Sequence, residues 1–458
     1  MNYRTEHDTL GSIEVPADKY WGAQTERSRR NFPIQAERDR MPREVIRALA
    51  SIKLAAAAVN RELLPEKMTE EKCNLICRAA EEIRAGKLWD HFPLVVWQTG
   101  SGTHSNMNVN EVIAARGNEL AGRPVLHPND DVNLSQSSND TFPTAMRIAA
   151  VRVLEQQLLP SLRALANELS QLEEKYAGLI KTGRTHLQDA VPIRFSQEIS
   201  GWRFSLMRDE ELICAALPFL RELPLGGTAV GTGLNAPPGF DVKAAAELSL
   251  LEGTVFSASP NKFHALTSLD EFAAAHGAMK GLAADLMKMA NDIRLLSSGP
   301  RCGLNELVLP ANEPGSSIMP GKINPTQCEQ MTMAAVQVMG NDAAIGFAAS
   351  QGQLELNVFL PVTIDNFLRS AVLLGESMDA FRLNCLEGLR PNEETMQAEL
   401  SRSLMLVTAL SPRIGYEKAA EAAQLAHREG LTLKEACLRL GFLPEEELDA
   451  LLAPEKMV

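Results

Sequence analysis

Between Phe272 and Leu296 the apolar residues Phe272, Ala275, Met279, Leu282, Leu286, Met289, Ile293 and Leu296 follow one another at alternating steps of three and four. Residues spaced in this way share one face of an α-helix, so the segment predicts a helix with a single buried seam. Two other segments repeat the pattern. One runs Val151, Leu154, Leu158, Leu162, Leu165, Leu169, Leu172, and the other Leu360, Ile364, Phe367, Ala371, Leu374, Met378, Phe381, Cys385. At ~1.5 Å per residue each seam is roughly 35–45 Å long. Its 3-4 spacing is that of near-parallel helices in a bundle. Ser268 and Glu271 have the spacing of a capping box before the Phe272 helix, and Gly299-Pro300 predicts its end. Pro160 predicts a kink within the Val151 helix. Strand signals are few, and Pro224 to Pro238 is loop-like and rich in glycine. The chain reads as mainly α. Helices this long are too few to close one compact core, so the seams predict a homo-oligomer that shares a helical bundle.

Composition narrows the function. The 458 residues are enough for two or three domains. Lys plus Arg total 45 against 58 for Asp plus Glu, a net charge of −13, which argues against nucleic acid or an anionic membrane as partner. A small anionic substrate is compatible with it, because charge at a pocket outweighs the global sum. No stretch approaches the ~20 apolar residues that span a bilayer, and the first residues carry no apolar signal-peptide core. A cytoplasmic location is the expectation. The seven cysteines are dispersed, with only Cys73 and Cys77 close together, which suits neither a zinc ribbon nor an iron–sulfur set. They read as reduced thiols.

The chemistry concentrates in Gly315-Ser316-Ser317-Ile318-Met319-Pro320-Gly321-Lys322-Ile323-Asn324-Pro325. Glycines let backbone N–H groups approach a ligand, prolines limit collapse of the loop, and Lys322 is a point charge for an anion. The spacing differs from that of a nucleotide phosphate loop, since five residues separate Gly315 from Gly321 and Ile323 follows the lysine. Thr326 and Glu329 have capping-box spacing just after it. Four other segments are rich in small polar groups: Gly100 to Asn108, His127 to Asp130, Ser135 to Asp140, and Lys181 to Ala190 around His186. Ser137-Ser138-Asn139 also suits a helix N-terminus, which presents free N–H groups and a favourable dipole to an anion. Gly226 to Asn235 lacks the order and the preceding strand of a dinucleotide loop.

Taken together, these segments resemble the fumarase/aspartase superfamily, and Pro-Gly-Lys-Ile-Asn-Pro-Thr-Gln-Cys-Glu (320–329) resembles its class II fumarase branch. The resemblance spans essentially the whole chain. It implies a three-domain, mainly α fold whose central long-helix bundle is shared in a homotetramer, with breaks giving segments 1–136, 137–391 and 392–458. It implies reversible hydration of fumarate to (S)-malate, a step of the tricarboxylic acid cycle, through C3 proton abstraction and an aci-carboxylate intermediate. The alternatives are an aspartate ammonia-lyase or a non-catalytic structural homologue. Ser137-Ser138-Asn139 and Pro325 to Glu329 lean toward the fumarase branch.

By the same resemblance Ser316 is the general base, and His186, paired with Glu329, supplies a proton, with a bound water between. Ser101, Thr103, Asn106, Ser137, Ser138, Asn139, Thr185, Ser317, Lys322 and Asn324 bind the substrate. No metal or organic cofactor is implied. A second dicarboxylate site near the entrance corresponds to Arg123, His127, Asn129 and Asp130. Two departures stand out. His104 replaces a glutamine usual in fumarases, and Pro124 holds the place of an arginine, leaving Arg123 one position earlier. Each active site of the family combines residues of three subunits, so the tetramer is expected to be a requirement of catalysis.

Overall fold

A computed structural model describes residues 2–458 and is mainly helical. Its β-structure, among the described residues, is confined to two-stranded pairs. Packing divides the chain into two units of discontinuous sequence. The first comprises Met1–Pro160, Glu211–Gly281 and Val336–Leu374, and the second Ser161–Glu210, Leu282–Ala335 and Gly375–Val458. Three long helices, Asp270–Leu296, Thr326–Ala349 and Leu360–Phe381, each contribute residues to both units. This division by packing cuts across the divisions at 136 and 391 drawn along the chain.

The apolar seams are buried at every position. Val151 to Leu172, Phe272 to Leu296 and Leu360 to Cys385 leave none of their seam residues exposed beyond 6 %. In the first unit the three long helices meet at His276. Its Nδ1 lies 3.0 Å from Asp342 Oδ1 and its Nε2 2.8 Å from Ser370 Oγ, while Asn341 donates to the same hydroxyl. Burial pulls the His276 pKa down and the Asp342 carboxylate opposes it. Phe272 and Phe367 meet edge-on beside this node, with centroids 5.6 Å apart. In the second unit Trp202 Nε1 donates to Asp292 at 2.9 Å, tying the Phe195–Leu220 helix to Asp270–Leu296, and Gln330 donates to Ser377 at 2.7 Å, tying Thr326–Ala349 to Leu360–Phe381. Buried polar groups held this way fix the register of helices that apolar contact alone would let slide.

Local signals fared unevenly. At Pro160 the helix is not regular. A wide π-helical turn, Leu154–Leu158, precedes Leu159–Lys175 and accommodates the missing N–H and the ring of Pro160. The capping box at Ser268 does not form. The Ser268 N–H donates to His264 O, and Glu271 instead turns inward to a buried ion pair with Arg147. The Thr326–Glu329 box is also absent, because the helix begins at Thr326 itself and Glu329 is exposed. The final segment packs as short helices around Leu406, Leu410, Ala422, Cys437 and Leu448, with Ile180 of the second unit in the same cluster.

Leu286 is fully buried at the centre of its seam. Leu286→Ala is expected to lower stability by about 2–5 kcal/mol, as cavity-forming substitutions do. Urea unfolding checks this, and a loss below about 1 kcal/mol would show that the seam is not tightly packed there.

Candidate active site

In the first unit two helices begin side by side. Thr103–Ala121 starts after Gly102, and Ser138–Val153 starts after Ser137. Hydrogen bonds link the hydroxyls of Ser101, Thr103 and Ser138 in a chain, each step 2.9 Å. Glycine is required on the way in. A Cβ on Gly100 would lie 1.6 Å from Val358 O, and one on Gly102, at φ +73°, would lie 2.2 Å from the Phe142 ring. The result is three hydroxyls beside the N-terminal ends of two helices, one capped by Ser137 and the other by Gln98, an arrangement whose dipoles suit a carboxylate.

The Gly226 loop is fastened to this same point. Asp140 is fully buried and closes a capping box with Ser137. Its Oδ2 accepts the N–H groups of Gly226 and Thr228, both at 2.9 Å. Burial raises its pKa, and the backbone N–H groups oppose the rise. Asn139 adds a bond from Nδ2 to Ala229 O. Below lies Lys53, fully buried, whose ammonium donates to Asn133 Oδ1 and Gln136 Oε1. Burial pushes its pKa down to about 7, and Asp140 opposes the shift. Asp140 and Lys53 were not singled out from sequence, although the Ser-x-x-Asp spacing of residues 137–140 is itself a capping signal.

Asn106 stands behind this cluster. It is fully buried, donates to Asn133 Oδ1 and accepts from Thr141 Oγ1, so its amide serves the framework. His104 also faces away, with Nδ1 2.8 Å from Ser28 Oγ and its ring near Phe32. Burial lowers its pKa. The substitution of histidine for glutamine is thus absorbed by the Ala23–Asn31 helix.

Of the four expected entrance residues, His127, Asn129 and Asp130 share one turn, with His127 Nδ1 3.2 Å from the Asp130 carboxylate, while Arg123 is engaged elsewhere. Arg123 is exposed and forms a two-pronged pair with Glu71. The exposed side chain of His127 accepts the Asp130 N–H, while Asp131 takes the His127 N–H and pairs with Lys72. Asn129 and Asp130 line a cavity of about 780 Å³ with Lys67, Lys72, Asn133 and Gln136. The local π-helical turn Pro128–Val132 redirects the chain in a way the tetrapeptide alone does not announce.

In the second unit His186 sits at the tip of a hairpin, Ile180–Thr185 paired with Gln188–Arg194. His186 and Leu187 both adopt positive φ, 55° and 60°. A two-residue turn demands this geometry, and non-glycine residues meet it only at a cost. Thr185 and His186 are exposed. The base of the hairpin is clamped by charge. Lys181 is 2.9 Å from Glu198 and 2.8 Å from Glu306, and Arg184 reaches Glu306 at 2.8 Å and Glu399 at 2.7 Å. Burial alone would raise the Glu306 pKa, but Lys181 and Arg184 hold it below the ordinary value. The sequence reading missed this hairpin, since its apolar alternation is weak.

The signature loop closes on itself. Gly315 N–H donates to Lys322 O, and Asn324 Nδ2 donates to Gly315 O at 2.7 Å. Ser316 Oγ accepts two backbone N–H bonds, from Ile318 at 3.3 Å and Met319 at 3.2 Å. Lys322 and Ser317 are exposed, and the Lys322 ammonium has no partner among the described residues. Within one chain no hydrogen bond joins His186 to Glu329 or to Ser316 among the described residues.

The comparisons with known proteins now decide the family. A lyase family model matches residues 11–340 and a fumarase C C-terminal model matches residues 406–458. A fumarate hydratase class II of Bacillus subtilis (strain 168) is 57 % identical over 462 residues, covering 100 % of this chain and 99 % of the relative. The chain belongs to the class II fumarate hydratase family. The same enzyme of Campylobacter jejuni is also 57 % identical, over 463 residues and with the same coverage. Among solved structures, a class II fumarase from Schistosoma mansoni superposes with a TM-score of 0.97 at 43 % identity, covering 100 % of this chain and 99 % of that one. The helical architecture read from the seams is therefore that of the class II fumarases, and the chain is a lyase.

The sign of the acid response at the hairpin base follows from Glu306. Its folded pKa lies below the ordinary value of 4.5, so its stabilising contribution is fully present above that value and is lost as pH falls below it. Glu306→Gln removes the carboxylate that Lys181 and Arg184 share and leaves each with one acidic partner, Glu198 and Glu399. It is expected to cost about 1–3 kcal/mol near neutral pH and to flatten the acid limb of the stability curve. Urea unfolding from pH 7 down to 3 checks both, and an unchanged acid limb would contradict the role given to Glu306.

Proposed function

We propose that the chain interconverts fumarate and (S)-malate, with the residues of the signature loop and of the hairpin performing the two proton transfers. In the malate direction Ser316 Oγ removes a C3 proton. The observation that carries this assignment is the pair of backbone N–H groups donating to Ser316 Oγ. A serine hydroxyl is a weak base, and two donors aimed at its oxygen stabilise the alkoxide it must become. Loss of the C3 proton leaves a second negative charge on the adjacent carboxylate. Lys322 and Asn324 meet that charge as it develops. The C2–O bond then breaks, and His186, through a bound water, supplies the proton that turns the leaving hydroxide into water. Ser101, Thr103, Ser137, Ser138, Asn139, Thr185 and Ser317 hold the two carboxylates so that the C3 proton faces the base.

The acting unit in this reading is a homotetramer. Apolar side chains stand exposed along the long helices of a single chain, among them Met333 and Phe347 of Thr326–Ala349 and Phe204 of Phe195–Leu220. Such faces call for a partner, and a second copy with the same seam is the simplest one. His186 and Glu329, which do not meet within a chain, then meet between chains. The three-segment organisation 1–136, 137–391 and 392–458 belongs to the same reading, as does an entrance site, here carrying Lys67 and Lys72 where Arg123 is engaged by Glu71. No helix among the described residues is long and apolar enough to cross a membrane.

Two measurements test this. Loss of fumarate ultraviolet absorbance without ammonia is expected for the wild type, and Ser316→Ala is expected to slow it by roughly two to four orders of magnitude. Activity that appears only with ammonia would make the chain an aspartase, and silence in both conditions would favour a structural role. Separately, Ser316→Ala and His186→Asn proteins, each inactive alone, are expected to regain part of the activity when unfolded together and reassembled. No recovery in verified mixed tetramers would place both residues in a site built from one chain.

A further inference from the structure

Cys73 and Cys77 lie one turn apart on the Glu70–Arg84 helix, with their sulfurs 4.0 Å apart. Cys73 is buried and Cys77 half-buried, so the pair is reached from the Cys77 side. Both stand on the same helix face as Glu81, four residues further on, and Glu247 of the neighbouring Phe240–Glu252 helix acts on the same thiol. Arg61 and Glu70 flank Cys73. The carboxylates of Glu70, Glu81 and Glu247 around the pair favour a cation.

Two fates compete for such a pair, and the geometry separates them. A disulfide needs sulfurs about 2.05 Å apart and Cβ atoms about 3.5–4.5 Å apart. Cβ atoms four residues apart on a helix are about 5–6 Å apart, so oxidation would have to unwind the turn. Chelation asks for no such change. With metal–sulfur bonds of about 2.3 Å, the zinc–thiolate length, sulfurs 4.0 Å apart subtend an angle of about 120° at the metal, and the longer bonds of a larger ion narrow it toward the tetrahedral value. Among the described residues no set of three or more His, Cys, Asp or Glu side chains is arranged to hold a metal. A closed structural zinc site, which takes four protein ligands, is therefore not what the pair resembles. Two thiolates alone favour ions that bind sulfur strongly.

We propose that Cys73 and Cys77 form a two-thiolate site that chelates one thiophilic metal ion of the cadmium or mercury class, with water completing the coordination. Binding replaces the thiol protons with metal–sulfur bonds, so two protons leave for each ion bound by the neutral pair. Neither cysteine is among the residues assigned to the reaction, although Lys72 of the entrance cavity precedes Cys73 on the same helix.

The test uses the full-length reduced protein, stripped with chelator and titrated with cadmium chloride. Native mass spectrometry counts the ions, and the thiolate-to-cadmium charge-transfer band reports the ligands. One ion per chain with that band is expected, lost in both Cys73→Ser and Cys77→Ser, while hydration of fumarate by the metal-free variants stays at the wild-type level. Should Cys73→Ser fail to fold, the half-buried Cys77→Ser decides alone. Cadmium stoichiometry and absorbance unchanged in Cys77→Ser would overturn the proposal. So would loss of binding in Cys73→Ser alone, which would mean a single thiol, or formation of a Cys73–Cys77 disulfide with dilute hydrogen peroxide while cadmium fails to bind.

Discussion

A helix about 40 Å long exposes more apolar edge than loops can cover, and the architecture follows from where that edge is hidden. Phe272 to Leu296 and its two counterparts are buried at every seam position, yet Met333 and Phe347 on the adjoining Thr326–Ala349 helix remain open. Burial inside the chain fixes the scaffold, and the remaining apolar faces are the ones the proposed tetramer covers. Polar nodes such as His276 with Asp342 and Ser370 keep the helices from sliding along their seams. Rigid rods of this kind place their ends, and the loops at their ends, with little freedom.

The chemistry is assigned to those ends. The first unit offers the starts of two helices, joined by the hydroxyls of Ser101, Thr103 and Ser138. In the second, backbone N–H groups converge on the oxygen of Ser316. In the proposed mechanism, substrate binding and activation of the base draw on the same resource, which is backbone donors at helix starts and in the loop. The Asp140 carboxylate uses that resource for a structural purpose, pinning the Gly226 loop through its N–H groups. A buried carboxylate can do this because the donors replace the water it loses. At the hairpin the same economy is achieved with full charges, where Glu306 sits between Lys181 and Arg184 and carries the strained turn at His186.

Much of this was legible in the sequence because its signals are periodic or chemically dense. A three-four apolar step over seven turns has few readings other than a long buried helix, and all seam positions behaved accordingly. The loop from Gly315 to Asn324 stood out by composition alone, and the proposed anion site rests on it. What escaped depended on distant partners. Glu271 had cap spacing but turned to Arg147, more than a hundred positions away in the chain, and Arg123 turned to Glu71. Lys53 sits in an apolar helical run and revealed its role only when Asn133 and Gln136 closed over it. The His186 hairpin was hidden because its short strands lack clear alternation and its turn is His-Leu where Asn-Gly is usual.

The account's central claim is that Ser316 breaks the C3–H bond before His186 completes the departure of water. Exchange of the malate C3 proton in deuterated water, followed by proton NMR alongside fumarate formation, separates these two steps. The account predicts that His186→Asn keeps C3 exchange while losing most elimination, and that Ser316→Ala loses both. Continued C3 exchange in Ser316→Ala, at a rate near that of the wild type, would contradict it and require a different base.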